Sequence, residues 1–230
     1  MDEGARVGRR IVLGMLGLGA LGIVAGKPLA EAVSRAGGGI GGPVAAILPA
    51  AGGFRLYSVV SPTPDIAPES AVLRVSGLVD EPRSFTLADL TDLPQTAMTK
   101  DFQCVTGWRV EDVAWSGVLL RDLLAACGPM PAGAAVRFTS ADGVYTESLT
   151  MEQAMRDDVL VATSMLNAPV LRQHGGPIRL YIAPMYGYKS LKWLDGIEVV
   201  DQVIPGYWEE RGYDVDAWIG ESNGRSDEPV

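Results

Sequence analysis

From residue 54 onward, apolar and polar positions follow two periods over short stretches broken by glycine and proline. FRLYSVV (54–60) alternates before PTPDIAPES interrupts it. SAVLRVSGLV alternates again and predicts a strand ending at Gly77, followed by a turn at VDEP. In FTLADLTDLP, Thr86 is placed to cap a helical turn or two ahead of Pro94. MTKDFQC (98–104) suits a strand leading out to Cys104. WSGVLLRDLLAACG predicts a helix capped by Ser116, with Val118, Leu119, Leu123 and Leu124 as its apolar stripe and Gly128 as its stop. AAVRFTSADGVYTESLT predicts a hairpin turning at Asp142 and Gly143. MEQAMRD predicts a short helix, and VLVATSML, PIRLYIAP and LKWLDGIEVVDQ predict strands. No repeat and no internal boundary interrupts this region, so the pattern is α+β with antiparallel pairs.

The preceding residues behave differently. GRRIVLGMLGLGALGIVAG sets two adjacent arginines before an uncharged run over 11–26. At about 16 residues the run is shorter than the roughly 20 of a spanning helix. A short apolar run behind a basic head has the form of an export signal, and the paired arginines resemble the twin-arginine type. The Ser or Thr usual before the pair is missing, and no clear small-residue cleavage site follows. A retained membrane anchor over 11–26 is therefore the companion reading, and an amphipathic tail the bland one. The expected organisation is a signal or anchor over 1–33, a Gly/Ala/Pro-rich tether over 34–53, and one folded domain over 54–230.

Composition narrows the chemistry. A net charge of -9 with no dominant basic patch argues against a nucleic-acid partner. No β–GxGxxG–α unit is present, and the glycines of 37–42 lack the Lys-Ser/Thr of a phosphate loop. Two cysteines, Cys104 and Cys127, and one histidine, His174, exclude a disulfide scaffold, covalent haem and a multi-histidine metal cage. Cys127 reads as a helix-end filler. Cys104 has four readings: a core residue, half of a disulfide with Cys127, a nucleophile with His174 as its base, or a thiolate ligand to a soft metal. Spacing alone leaves the last two open. One stretch reverses the chain's sign: 159–194 has no Asp or Glu but holds Arg172, His174, Arg179, Lys189 and Lys192. Glycines and prolines between these cations allow close backbone approach, which is the composition of an anion site, for example for a phosphate.

Several motifs occur in order: FQCVTGW, WSGVLLRDLL, VRFTSADGVYTESLTMEQA, VLVATSMLNAPVLRQHGGPIRLYIAPMYGYKSLKWLDGIEV and PGYWEERGY. Together the set resembles the molybdopterin-binding domain of the sulfite oxidase family and covers most of 54–213. The resemblance implies a sulfite oxidase-like molybdopterin-binding fold with mixed sheets and short helices, and makes 54–230 a catalytic domain. It implies a molybdenum–molybdopterin cofactor, with Cys104 as the protein's metal ligand beside the pterin dithiolene. It assigns Thr139, His174, Arg179, Ser190, Leu191 and Lys192 to the cofactor, Ser190 and Leu191 through backbone atoms. Tyr213 is implied as a hydrogen-bond or proton donor beside the metal, and Arg109 as a residue able to face the substrate, with a salt bridge to Glu111 or Asp112 as the other reading. Arg55 and Tyr57 are placed at an early cofactor contact.

The implied activity is oxygen-atom transfer to or from a small-molecule substrate, with electrons exchanged with a separate partner, a membrane-bound haem protein or another electron carrier. The layout is most similar to the exported, periplasmic catalytic subunit of the bacterial methionine sulfoxide reductase system, although His174 follows the sulfite oxidase pattern. No immunoglobulin-like second domain is expected, which leaves sulfite in doubt as substrate and implies a monomer. Two other readings remain: a cofactor-free thiol hydrolase using Cys104 and His174, and a non-catalytic molybdopterin-binding protein.

Overall fold

A computed structural model describes residues 53–222. The expected signal or anchor, and nearly all of the expected tether, lie outside the described residues. The chain divides into two units, Met1–Tyr57 and Ser58–Val230. FRLYSVV forms no strand, and Arg55 and Tyr57, at the end of the first unit, are exposed.

The second unit holds the sheets. Its elements in chain order are β1 (Val72–Gly77), β2 (Arg83–Thr86), α1 (Leu87–Asp92), β3 (Thr96–Gln103), β4 (Arg109–Leu119) and α2 (Leu120–Ala125). There follow β5 (Ala135–Ser140), β6 (Thr146–Thr150), α3 (Met151–Ala154), β7 (Val159–Met165), β8 (Ala168–Pro169), β9 (Arg179–Ile182) and β10 (Leu194–Val200). One sheet runs β2-β1-β10-β5-β6, with β1 and β10 parallel and the other pairs antiparallel. The other runs β3-β4-β7-β8, with β9 also paired to β7. Leu73, Val75, Phe138 and Ile197 of the first sheet share one buried cluster with Val118, Val161 and Leu180 of the second and Leu120, Leu123 and Leu124 of α2. The architecture is α+β with a mixed sheet and short helices.

The two best-capped helices follow from local chemistry. Thr86 accepts from Asp89 N while Asp89 accepts from Thr86 N, a reciprocal cap that starts α1; Thr150 and Gln153 do the same for α3. The β5–β6 hairpin turns where Asp142 and Gly143 were expected. Asp142 Oδ1 accepts from Val144 N and Tyr145 N, and Gly143 takes φ +73°.

The helix expected from Trp115 is a correction. Residues 109–119 form a strand held on both edges, by β3 and by β7, and only Leu120–Ala125 is helical. Ser116 sits in the sheet opposite Ser164, and the helix has no side-chain cap. Gly117 shows why the sheet wins. A Cβ there would collide with the Val161 carbonyl, so the close strand approach depends on the missing side chain. Leu120, Leu123 and Leu124 still supply a helical stripe, which explains the apparent period.

Candidate cofactor site

Cys104 opens the connection between β3 and β4. Its N–H donates to Trp108 O at 2.9 Å and its carbonyl accepts from Gly107 N at 3.0 Å, closing a tight loop that needs Gly107 at φ +91°. Cys104 is partly exposed, and both cysteines are free thiols. Cys104 Sγ lies 3.2 Å from Thr106 Oγ1, so its hydrogen-bond partner is this threonine and not His174. Cys127 is a core residue whose thiol burial pushes upward.

The cations of the acid-free stretch separate into two groups. His174, Arg179 and Lys192 converge. Arg179 is 2% exposed and donates to His174 O at 2.6 Å, Ser190 O at 3.0 Å and Leu180 O at 3.3 Å. Its guanidinium stands 5.6 Å from the Phe102 ring centre and 5.3 Å from that of Trp115, which stacks on Tyr181 at 4.0 Å. The turn Arg172–His174 ends on Gly175 at φ +95°, where a Cβ would come within 2.5 Å of Lys192 Cβ. Lys192 Nζ donates to Gln173 O at 3.3 Å, and the next residue, Trp193, is held at φ +50°, a strained value for a bulky side chain.

Electrostatics follow from this packing. Burial, with repulsion from Arg179 and Lys192, holds the His174 imidazole down at about 3. Burial and Arg179 bring the Lys192 ammonium down to about 7, and burial brings Arg179 to about 10. The Arg179 hydrogen bonds all go to carbonyl oxygens. Cations that repel one another out of water are relieved by an anion. The donor set therefore fits the phosphate of a pterin cofactor. The cluster also adjoins the sulfur's strand: Phe102, two residues before Cys104, packs on Arg179, and Gly187 N donates to Gln103 O at 2.7 Å.

The other two cations do different work. Arg172 donates to Pro64 O and Thr63 O and lies 3.3 Å from Asp65. Lys189 is fully buried, 2.5 Å from Glu147 Oε2 and bonded to Glu209 Oε1. β6 buries Glu147, Ser148 and Leu149 in succession, and an acid so placed needs a partner.

The remaining residues are dispersed. Thr139 Oγ1 donates to Asp195 Oδ1 at 2.9 Å. Ser190 N donates to Gly187 O, its hydroxyl accepts from Ile182 N, and its carbonyl serves Arg179. Leu191 is a core side chain whose N–H and carbonyl are taken by Lys189 and Leu180. Arg109 pairs with Glu111 and lies 3.6 Å from Asp101. Tyr213 meets Tyr188 edge-on at 5.4 Å, and Tyr188 follows Gly187 in the site loop. Phe102 and Trp115, which flank Arg179, were not expected as site residues; alternation in β4 foreshadows only Trp115's burial. Two open clefts, of about 210 and 300 Å³, lie by Arg74 and Trp193 and by Met98 and Ser164. Neither is lined by Cys104, His174, Arg179 or Lys192; His174 and Arg179 are buried and Lys192 is partly exposed. Among the described residues no three His, Cys, Asp or Glu gather as a metal cage, and no helix is long and apolar enough to cross a membrane.

The model of the oxidoreductase molybdopterin binding domain family matches residues 60–208. The uncharacterized oxidoreductase YuiH of Bacillus subtilis (strain 168) is 32% identical over 148 residues, 64% of this chain and 74% of its own. Sulfite oxidase of Arabidopsis thaliana is 28% identical over 179 residues, 63% of this chain and 46% of its own. The methionine sulfoxide reductase catalytic subunit MsrP of Campylobacter jejuni is 29% identical over 151 residues, 59% of this chain and 50% of its own. The crystal structure of the sulfane dehydrogenase SoxCD from Paracoccus pantotrophus superposes with a TM-score of 0.58 at 26% identity, covering 63% of this chain and 41% of that one. The chain thus spans about three quarters of YuiH and about half of the sulfite oxidase and MsrP. The chain belongs to the oxidoreductase molybdopterin-binding domain family, and its cofactor is molybdenum–molybdopterin.

Proposed function

We propose that the chain catalyses oxygen-atom transfer to or from a small sulfur compound, with Cys104 as the protein's metal ligand. When bound, the cofactor supplies a metal that exchanges two electrons with substrate as the oxygen passes. The chain's own residues do the rest. The Cys104 thiolate ties the metal to the end of β3 and tunes it through sulfur donation. Arg179, Lys192 and His174 hold the anionic end of the pterin. The bound anion favours the charged forms of Lys192 and His174, so binding draws protons onto both. Tyr213 donates a hydrogen bond or proton at the reacting oxygen, and Thr139, Ser190 and Leu191 shape the pterin's surroundings. Arg109, paired with Glu111 at the start of β4, is the charged side chain offered to the substrate after the Cys104 loop.

The observation that carries this reading is Arg179. Its guanidinium is buried against the neighbouring Phe102 and Trp115 rings with its hydrogen bonds on carbonyls, beside Lys192 and His174 and next to the strand that leads to Cys104. The names of the relatives, sulfite oxidase, methionine sulfoxide reductase subunit and sulfane dehydrogenase, favour sulfur substrates. Residues 1–33 serve as a twin-arginine-like signal or anchor and 34–53 as a tether. The domain works outside the cytoplasm as a monomer, exchanging electrons with a membrane-bound haem or other carrier. Molybdenum and pterin analysis of the full chain, followed by assay with sulfoxides and sulfite, tests the reading. Cys104→Ser is expected to remove metal and turnover while leaving the far-ultraviolet spectrum unchanged; full activity in that variant overturns the ligand assignment.

A further inference from the structure

Glu147, Lys189 and Glu209 lie outside the residues assigned to the cofactor, and they come from three separate segments. Glu147 is on β6, Lys189 on the 186–190 loop that carries Ser190, and Glu209 on the turn Glu209–Arg211 just ahead of Tyr213. The three side chains are at most 1% exposed. Lys189 Nζ also donates to Ser148 O at 2.9 Å, and Glu209 Oε2 accepts from Gly206 N at 2.6 Å. Glu147 Oε2 accepts from Ser148 N at 3.2 Å, and Glu147 Oε1 is buried without a hydrogen-bond partner.

One carboxylate would satisfy a buried ammonium. A second adds charge in a medium that penalises it, so stability alone does not account for the cluster. Its location does. Gly187 N on Gln103 O ties the 186–190 loop to the strand of Cys104. Tyr188 touches Tyr213, and its hydroxyl donates to Asp214 O at 2.6 Å. Tyr145 donates to Tyr188 O at 2.7 Å and stacks on Tyr207.

We propose that Glu147, Lys189 and Glu209 are positioning residues that clamp the 206–213 segment, and with it Tyr213, to the site loop, and that the protonation state of Glu147 sets how tightly the clamp holds. The part concerning Tyr213 rests on the proposed function above; the clamp itself does not. Burial pushes the Glu147 carboxyl up to about 8, with Glu209 adding to it and Lys189 opposing. The other titratable groups around it are Tyr145 and Tyr188, whose phenols burial pushes up, and Asp214 beside Tyr188. Below about pH 8 one ammonium faces one carboxylate and one neutral acid. Above it, two carboxylates compete for one ammonium and the clamp slackens.

The test uses the full chain in two arms. In the first, near-ultraviolet circular dichroism of Cys104→Ser protein is followed from pH 6 to 9.5. A transition centred near pH 8 is expected, and it should vanish when Glu147→Gln is added, whereas a transition arising at Lys192 would persist. In the second, kcat and KM of the loaded enzyme are measured against pH. The expected result is a roughly tenfold fall in kcat above pH 8 that Glu147→Gln abolishes, and a kcat at least tenfold lower in Lys189→Met at unchanged molybdenum and pterin content. A spectral transition that survives Glu147→Gln, or is absent from both proteins, overturns the clamp. Undiminished kcat in Lys189→Met overturns its link to Tyr213. Wild-type chain that holds no molybdenum sinks the cofactor reading and leaves the first arm standing.

Discussion

His174 is the chain's one histidine, so its imidazole signal in a proton spectrum needs no assignment. The cofactor-free protein is expected to show it titrating near pH 3, because burial and two cationic neighbours disfavour its charge. Adding inorganic pyrophosphate should raise that midpoint by at least about one unit, a factor of ten in proton affinity. An unmoved midpoint at saturating pyrophosphate would detach His174 from the anion site. Arg179→Met removes the charge but keeps much of the packing against Phe102 and Trp115. Molybdenum content per chain should fall at least about tenfold, equal to the loss of one charge-assisted anion contact. Arg179→Lys should recover little, since an ammonium cannot reach the His174 and Ser190 carbonyls as a planar fork does.

At the scale of elements, the capping boxes and the β4–β7 contact make separable predictions. Thr86→Ala deletes the α1 cap and should cost about 1 kcal/mol in denaturant unfolding. Gly117→Ala should cost more, about 3 kcal/mol, because the new methyl meets the Val161 carbonyl inside a two-sided strand pairing and not the end of a mobile side chain. If 109–119 were helical the order would reverse, since alanine is the better helix former.

For the whole molecule, two buried groups tilt stability with pH in opposite directions. His174 has its folded value depressed, so below about 6.5 the unfolded chain binds the extra proton; stability is present above that pH and lost as pH falls toward 3. Glu147 has its folded value raised, so the folded chain binds the extra proton between about 4.5 and 8, and stability is lost as pH rises across that range. Resistance of the cofactor-free protein to urea should therefore fall on acidification below about 4.5, where His174 alone of the two still titrates, and less so in His174→Asn. Glu147→Gln should gain stability relative to wild type at pH 8 and show little difference at pH 5. Equal gains at both values would mean that Glu147 does not titrate in this range.

Residues near one another in sequence determined their own local structure. Thr86 and Asp89 cap α1, Asp142 and Gly143 turn the hairpin, and strict alternation marks β1, because each depends on atoms a few positions apart. The ordered motifs likewise identified the family, and the absence of acids over 159–194 pointed to Arg179 and Lys192 before any fold was known. Partners distant in sequence decided the rest. Val118 and Leu119 became strand because β7 pairs with them, Val161 opposite Val118 and Leu160 opposite Leu119, and no local period carries that information. Lys189 left the cation group because Glu147 and Glu209, 42 positions before it and 20 after it in the numbering, fold onto it, while Arg172 turned to residues 63–65. Sequence specifies which charges exist; only packing brings together those that must neutralise one another, because the cost of a buried charge is set by what tertiary structure places beside it.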